Sequence, residues 1–413
     1  MEAAKTTIHE VAAVPDRDGR LHYLDGIRAL AALYVVIHHA SSNVRYGFIA
    51  PLTPGASLVS KCFSLGGDAV LVFIATSGFC LMLPVIAAGE QFKSGVGRFF
   101  IRRCWRILPP YFACLLICGL LINTMLGDTT TAVWTDTFSG GVTWKSIWLH
   151  IFMLHDMFPA TAHQINYVLW SISVEWRIYF VFPLILLLWR RYGPASTTVF
   201  VVLVSLVIAW LVPVFSHKQL TNLGIHFTGV FAIGMLGATL GFSERPAYKN
   251  FARSVNWAKF CGFATLVYAL FCLLRVTGYW IPGMPAIASQ LLVGIWAGII
   301  LTWGSHCSDG IMGRFLANSW LVKIGGFSYS LYLIHPPALQ IFWKYVVHPL
   351  NLSISNEIFA MCTFGAAFCV LIAYGFYLVA EKPFLSVGKK SKSPPKPEPI
   401  VETGTLKPRV NAD

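Results

Sequence analysis

Several ionisable side chains lie within segments that are otherwise hydrocarbon. The segment YLDGIRALAALYVVIHHA holds Asp25, Arg28, His38 and His39. Charged and imidazole groups cost several kcal/mol in lipid, so those retained in apolar segments are functional candidates. His39 follows Arg28 by eleven residues, which on a helix is about three turns, about 16 Å along the axis and about 20° off register. The two side chains therefore share a stripe. Asp25 falls about 60° from it, while His38 turns about 80° the other way. An imidazole aligned with a cation in this way is a candidate general base; the plainer alternative is a histidine pair meeting the interface near a helix end. A second segment, VLWSISVEWRIYFVFPLILLL, carries Glu175 and Arg177 among aromatics. Glu175 is about 10 Å below the outer end of its span and His39 about 22 Å above the inner end of its own, so in a core about 30 Å thick they reach a similar depth. A carboxylate meeting His39 there would fix its tautomer. The alternative is a structural pair between Glu175 and Arg177.

Further along, KSGVGRFFIRRCWRILPPYF packs Arg98, Arg102, Arg103 and Arg106 into what reads as a cytoplasmic loop ahead of a span. Such a cluster anchors topology. Arg103 and Arg106, three residues apart, also face one way on a helix and suit a phosphate-bearing ligand held by bidentate guanidinium contacts. In GGFSYSLYLIHPPALQ, His335 falls near mid-membrane. Pro336 and Pro337 remove two backbone donors after it, so the helix is expected to kink or break and expose carbonyls. Broken helices at that depth line cavities, although a lone buried histidine is as readily a satisfied structural group. Arginines at the cytoplasmic rim, His335 midway, and His39 with Glu175 higher suit a long anionic donor entering from the cytoplasm. The same stack suits a proton-coupled exporter or flippase with His39, Glu175 and His335 as a relay. Residue chemistry alone leaves both open.

The elements that must carry these groups follow from composition. Of 413 residues, 56% are apolar and 12% charged, with a net charge of +13, whereas soluble domains carry roughly 25% charged residues. Nucleic-acid binding, the first expectation for so basic a chain, gives way to a polytopic, all-α membrane helix bundle. About ten transmembrane helices are expected, over residues 24–40, 66–88, 107–126, 168–189, 196–214, 223–242, 258–277, 284–303, 324–345 and 355–379. The apolar stretch 147–158 is too short to cross and reads as re-entrant or interfacial. With the N-terminus inside, 24 of the 31 basic residues fall on the cytoplasmic side and 4 outside, which places both termini in the cytoplasm. The chain divides into a cytoplasmic segment, 1–23, a membrane domain, 24–384, and a tail, 385–413, whose KKSKSPPKPEP composition cannot bury a core. The ten cysteines contain no CxxC pair and fall mostly in apolar runs, as soft core residues do. No ligand cluster proposes a metal.

In order along the chain, YLDGIRALAALYVVIHH, VFIATSGF with Ser77, Gly78 and Phe79, the pair Arg103 and Arg106, LWSISVEWRIYFVFP, FSYSLYLIHPP, and VAEKPF with Glu381 and Pro383 resemble the signature segments of acyltransferase family 3. Its members are integral-membrane O-acyltransferases of bacterial surface polysaccharides and of some antibiotics. The resemblance runs from Tyr23 to Phe384; one departure is Trp176, where many members have a second acid. It implies transfer of an acyl group, usually acetyl, from cytoplasmic acyl-CoA to a hydroxyl on a glycan, glycoside or related acceptor, in the bacterial inner membrane. No permanently bound cofactor is implied, and acyl-CoA is a co-substrate. Carried onto this chain, Arg103 and Arg106, with Arg28, would hold the CoA phosphates, and His39 would act as base or carry the acyl group briefly. Glu175 would orient His39, and Tyr332 and His335, with Asp25 nearby, would line the substrate pocket.

Overall fold

The computed structural model describes residues 21–45, 52–93, 95–126, 142–215, 224, 226–277, 286–307 and 309–387. The expected cytoplasmic N-terminal segment up to residue 20, and the tail from 388 onward, lie outside the described residues. Every element among the described residues is helical. Among the described residues, seven helical stretches are long and apolar enough to cross a membrane: Pro54–Ile86, Gly95–Leu126, Leu169–Tyr192, Pro194–Val212, Trp257–Thr277, Ile287–His306 and Ile354–Leu385. Phe227–Phe242 makes an eighth if it is counted with Pro246–Ser254, from which it is bent by 85°. Length and hydropathy alone thus account for seven or eight of the expected ten among the described residues. The helix His22–Arg45 carries Asp25, Arg28, Arg45 and three histidines, and Ser328–Phe342 has 15 residues, so neither meets that standard. The expected span 324–345 is interrupted: Ser319–Gly326 and Ser328–Phe342 meet at Phe327.

The His22–Arg45 helix sits at the centre, packed on Gly66–Ile86, Ser319–Gly326 and Ser328–Phe342. Lipid tails give helices no hydrophobic reason to associate, so close packing through small residues takes over. Gly78 and Gly234 show it. A Cβ on Gly78 would fall on the Phe231 carbonyl, and one on Gly234 on the Ala75 carbonyl, so the Gly66–Ile86 and Phe227–Phe242 helices cross backbone to backbone. At the end near Asp25 the same device recurs, with Gly325 against the Asp25 backbone and Gly26 against that of Leu316. The helix Trp257–Thr277 instead exposes Phe263, Leu266, Leu270 and Leu273, the surface of a helix at the edge of a bundle. Asp68 ties it in, accepting from Arg275 at 2.7 Å and from Tyr268 at 3.0 Å.

Between Ile151 and Leu169 the chain forms a loop that enters the bundle. Met153, His155, Asp156, Ile165, Asn166 and Tyr167 are all buried there, in keeping with a segment too short to cross. Arg177 holds it through a bidentate pair with Asp156, its Nη1 donating to Oδ1 at 2.8 Å and its Nη2 to Oδ2, and a further bond from Nη1 to the Met153 carbonyl at 3.1 Å. Arg177 is thereby committed to the loop and not to Glu175. The helix Leu169–Tyr192 starts inside the bundle as a result.

Candidate functional site

A cavity of about 270 Å³ opens among the helices that carry the predicted residues, and Arg28, Arg103, Arg106, Glu175 and Tyr332 all line it. Arg103 and Arg106 are not in a loop. They occupy the early turns of the helix Gly95–Leu121, which begins twelve residues before the expected span because arginine and aromatic residues alternate there at helical spacing, and the arginine heads turn inward instead of ending the helix. The Arg103 guanidinium lies 6.0 Å from the Phe99 ring centroid and 5.9 Å from that of Tyr179, and its Nε is buried with no hydrogen-bond partner among the described residues. Arg28 is 3.9 Å from Asp25; Asp25 steadies Arg28 but does not itself line the cavity. Glu175 accepts a hydrogen bond from the Tyr179 hydroxyl, which also lies 3.2 Å from Ser77 Oγ. Three guanidinium groups thus face one carboxylate in a partly desolvated space, an arrangement that attracts an anion. At about 270 Å³ it is below the roughly 300–1,000 Å³ of drug-sized pockets, room for one end of a long ligand.

Tyr332 forms the wall between this cavity and a layer of imidazoles. Its hydroxyl is 2.7 Å from Ser171 Oγ, and its ring centroid is 5.9 Å from that of His335. His335 in turn lies 5.3 Å from His39, and His39 packs on Tyr167 at 4.7 Å and on His38 at 4.8 Å. His38 is fixed by its Nδ1, which donates to the Phe63 carbonyl at 2.6 Å, with its ring edge seated on Gly66, where a Cβ would collide. His39 keeps partial access and, among the described residues, packs through ring contacts with His38, Tyr167 and His335. The helix Ser328–Phe342 runs on through Pro336 and Pro337 instead of breaking at them.

The predicted residues therefore divide into two groups. Arg28, Arg103, Arg106, Glu175 and Tyr332 meet in the cavity; His39 and His335 meet one ring beyond it. No hydrogen bond joins Glu175 to His39, and the depth argument that brought them together fails for a physical reason. The buried loop carries Asn166, Tyr167 and Val168 inside the bundle, so Tyr167 meets His39 while Glu175, eight residues on and about 12 Å further along, descends to the arginines. Tyr179, Asn166 and Tyr167 were missed in the sequence because they are uncharged or precede the apolar run. The signal that marks Tyr179 is its spacing: it stands one helical turn after Glu175. Two late segments close the inner side. Ser330 Oγ donates to the buried Glu381, and Phe384 stacks on Trp105 at 5.8 Å and 9°, joining the VAEKPF segment to the arginine helix.

A family model described as an acyltransferase domain matches residues 21–378. The O-acetyltransferase OatA of Staphylococcus aureus strain NCTC 8325 / PS 47 is 27% identical over 338 residues, covering 78% of this chain and 51% of that protein. The acyltransferase MdmB of Streptomyces mycarofaciens is 30% identical over 41% of this chain and 40% of its own length, and nodulation protein 10 of Rhizobium leguminosarum bv. viciae is 27% identical over 49% and 53%. The chain spans about half the length of these relatives. No solved structure matches it. With several helices able to cross a membrane and a family match along most of its length, this integral multi-pass membrane protein belongs to acyltransferase family 3.

Proposed function

We propose that the protein transfers an acyl group, acetyl by preference, from cytoplasmic acyl-CoA to a hydroxyl of a glycan, glycoside or related acceptor. The observation that carries this is the junction of an anion-seeking cavity with a base: Arg28, Arg103 and Arg106 line the space that Tyr332 separates from His335 and His39. Guanidinium groups there would hold phosphate oxygens by charge-assisted hydrogen bonds, with the thioester end directed past Tyr332. His39 would remove the proton of the acceptor hydroxyl as its oxygen bonds the acyl carbon and the carbon–sulfur bond breaks. Transient transfer of the acyl group to His39 is the two-step version of the same reaction. Glu175, bonded to Tyr179, would act on the arginine side, steadying Arg103 and Arg106.

Ten membrane crossings, with the His22–Arg45 and Ser328–Phe342 helices included and both termini in the cytoplasm, fit this orientation and the bacterial inner membrane. The OatA and MdmB names, an O-acetyltransferase and an acyltransferase, support the reaction class. The test uses membranes carrying the protein together with radiolabelled acetyl-CoA. Label should pass to a hydroxylated membrane or surface component, and His39→Ala should stop it while leaving the protein inserted. Substrate flux driven by a pH gradient, without consumption of acetyl-CoA, would replace this proposal with a proton-coupled exporter.

A further inference from the structure

Pro336 and Pro337 lack the N–H groups that would bond the carbonyls of Tyr332 and Leu333, four residues back. In hydrocarbon those two carbonyls need other donors. Leu333 receives two from outside its helix: Asn166 Nδ2 at 3.0 Å and Cys114 Sγ at 3.2 Å. Tyr332 receives His335 Nδ1 at 2.8 Å, which also lies 3.2 Å from the Leu331 carbonyl. A carbonyl only accepts, so Nδ1 is the nitrogen that carries the proton, and Nε2 of the neutral ring holds a lone pair. That Nε2 is buried with no hydrogen-bond partner among the described residues, in a residue with no exposed surface. Unpartnered buried acceptors are costly and rare. This one belongs to the ring lying next to His39, with 5.3 Å between centroids and 28° between ring planes.

We propose that His335 is the proton partner of His39, held as the Nδ1–H tautomer by the Tyr332 carbonyl that Pro336 leaves without its helical donor, so that Nε2 is free to accept. This rests on the acyl-transfer reading. As the hydroxyl oxygen bonds the acyl carbon and the carbon–sulfur bond breaks, the hydroxyl proton goes to His39, is shared with His335 Nε2, and returns through His39 to the departing thiolate sulfur. His335 acts through His39 and is a positioning residue, not a group that touches the acyl carbon. The titratable groups around the pair are His38 and His39 on the central helix, Tyr167 from the buried loop, Tyr332 on its own helix and Cys369, whose Sγ is 3.7 Å from the His335 carbonyl. Among the described residues no carboxylate or guanidinium hydrogen-bonds to either ring.

The experiment follows transfer from radiolabelled acetyl-CoA against pH in membranes of producing cells, which supply the native acceptor. His335→Gln keeps an amide donor for the Tyr332 carbonyl but cannot take up a proton. It should lower kcat about 10-fold or more, leave KM for acetyl-CoA within about two-fold, and remove one ionisation from the acid limb of the kcat profile. Pro336→Ala restores an N–H that competes for the Tyr332 carbonyl, and should move kcat and the profile in the same direction by about three-fold. His335→Gln with the wild-type kcat and profile, or with a loss confined to KM, overturns the proposal; if that variant does not fold, an unchanged Pro336→Ala profile overturns it. A wild-type membrane that transfers no label, or His39→Ala with full turnover, defeats the acyl-transfer reading itself. Active wild type, inactive His39→Ala and an unaltered His335→Gln profile defeat only the role of His335.

Discussion

In the cavity, Arg28, Arg103 and Arg106 face one lining carboxylate among the described residues, Glu175; in the layer behind Tyr332, His38, His39 and His335 are held by aromatic rings and backbone carbonyls, with no charged group among the described residues hydrogen-bonded to any of them. The first region has excess positive charge and an unpartnered guanidinium nitrogen, so it gains by taking in an anion. The second gains by staying neutral, which is the state a base needs before it can accept a proton. Placing cations beside an imidazole would suppress its protonation. One aromatic ring, Tyr332, keeps the two regions adjacent in space yet separate in charge.

That division makes binding and turnover separable by mutation. The largest effect should come from His39→Ala, with a fall in transfer of about 10²–10⁴-fold and little change in acetyl-CoA affinity, measured by label transfer beside a binding isotherm. Next comes Arg103→Ala. Loss of a charge-assisted contact of about 1.5–3 kcal/mol should raise KM for acetyl-CoA by roughly ten-fold or more while kcat moves less, and adding salt to the wild-type protein should move it the same way. A variant outside both regions marks the structural baseline: Gly78→Ala pushes a Cβ into the Phe231 carbonyl and should lower the thermal stability of the solubilised protein by about 1–3 kcal/mol, with KM and pH profile unchanged in whatever remains folded. The smallest effect belongs to Asp25→Asn. Its partner Arg28 is 3.9 Å away and both side chains are part exposed, so the change should cost no more than about 1 kcal/mol, seen as a slight rise in KM. An Asp25→Asn loss as large as that of Arg103→Ala would show that Arg28 is held by Asp25 far more firmly than the distance implies.

The stripe shared by Arg28 and His39 was legible because helix geometry fixes it once the segment is known to be helical. The RxxR pair was legible as chemistry but misplaced as a loop, since hydropathy sees four arginines and not the inward face that Phe99 and Tyr179 offer one of them. The pairing of Glu175 with His39 depended on where the Leu169–Tyr192 helix begins in depth, and that depends on the loop anchored by Asp156 and Arg177 across 21 residues of sequence, an interaction no local pattern reveals. The proline pair was readable as a disturbance to its helix. Its donors were not: Asn166 and Cys114 reach Leu333 from 167 and 219 residues away in sequence.

The most direct measurement is acetyl-CoA binding to the solubilised protein, by calorimetry, for wild type, His39→Ala and Arg103→Ala, with transfer assayed on the same samples. Arginines that bind and an imidazole that reacts predict that His39→Ala binds like the wild type and transfers nothing, while Arg103→Ala binds roughly ten-fold more weakly or worse. Lost affinity in His39→Ala together with unchanged affinity in Arg103→Ala would contradict it.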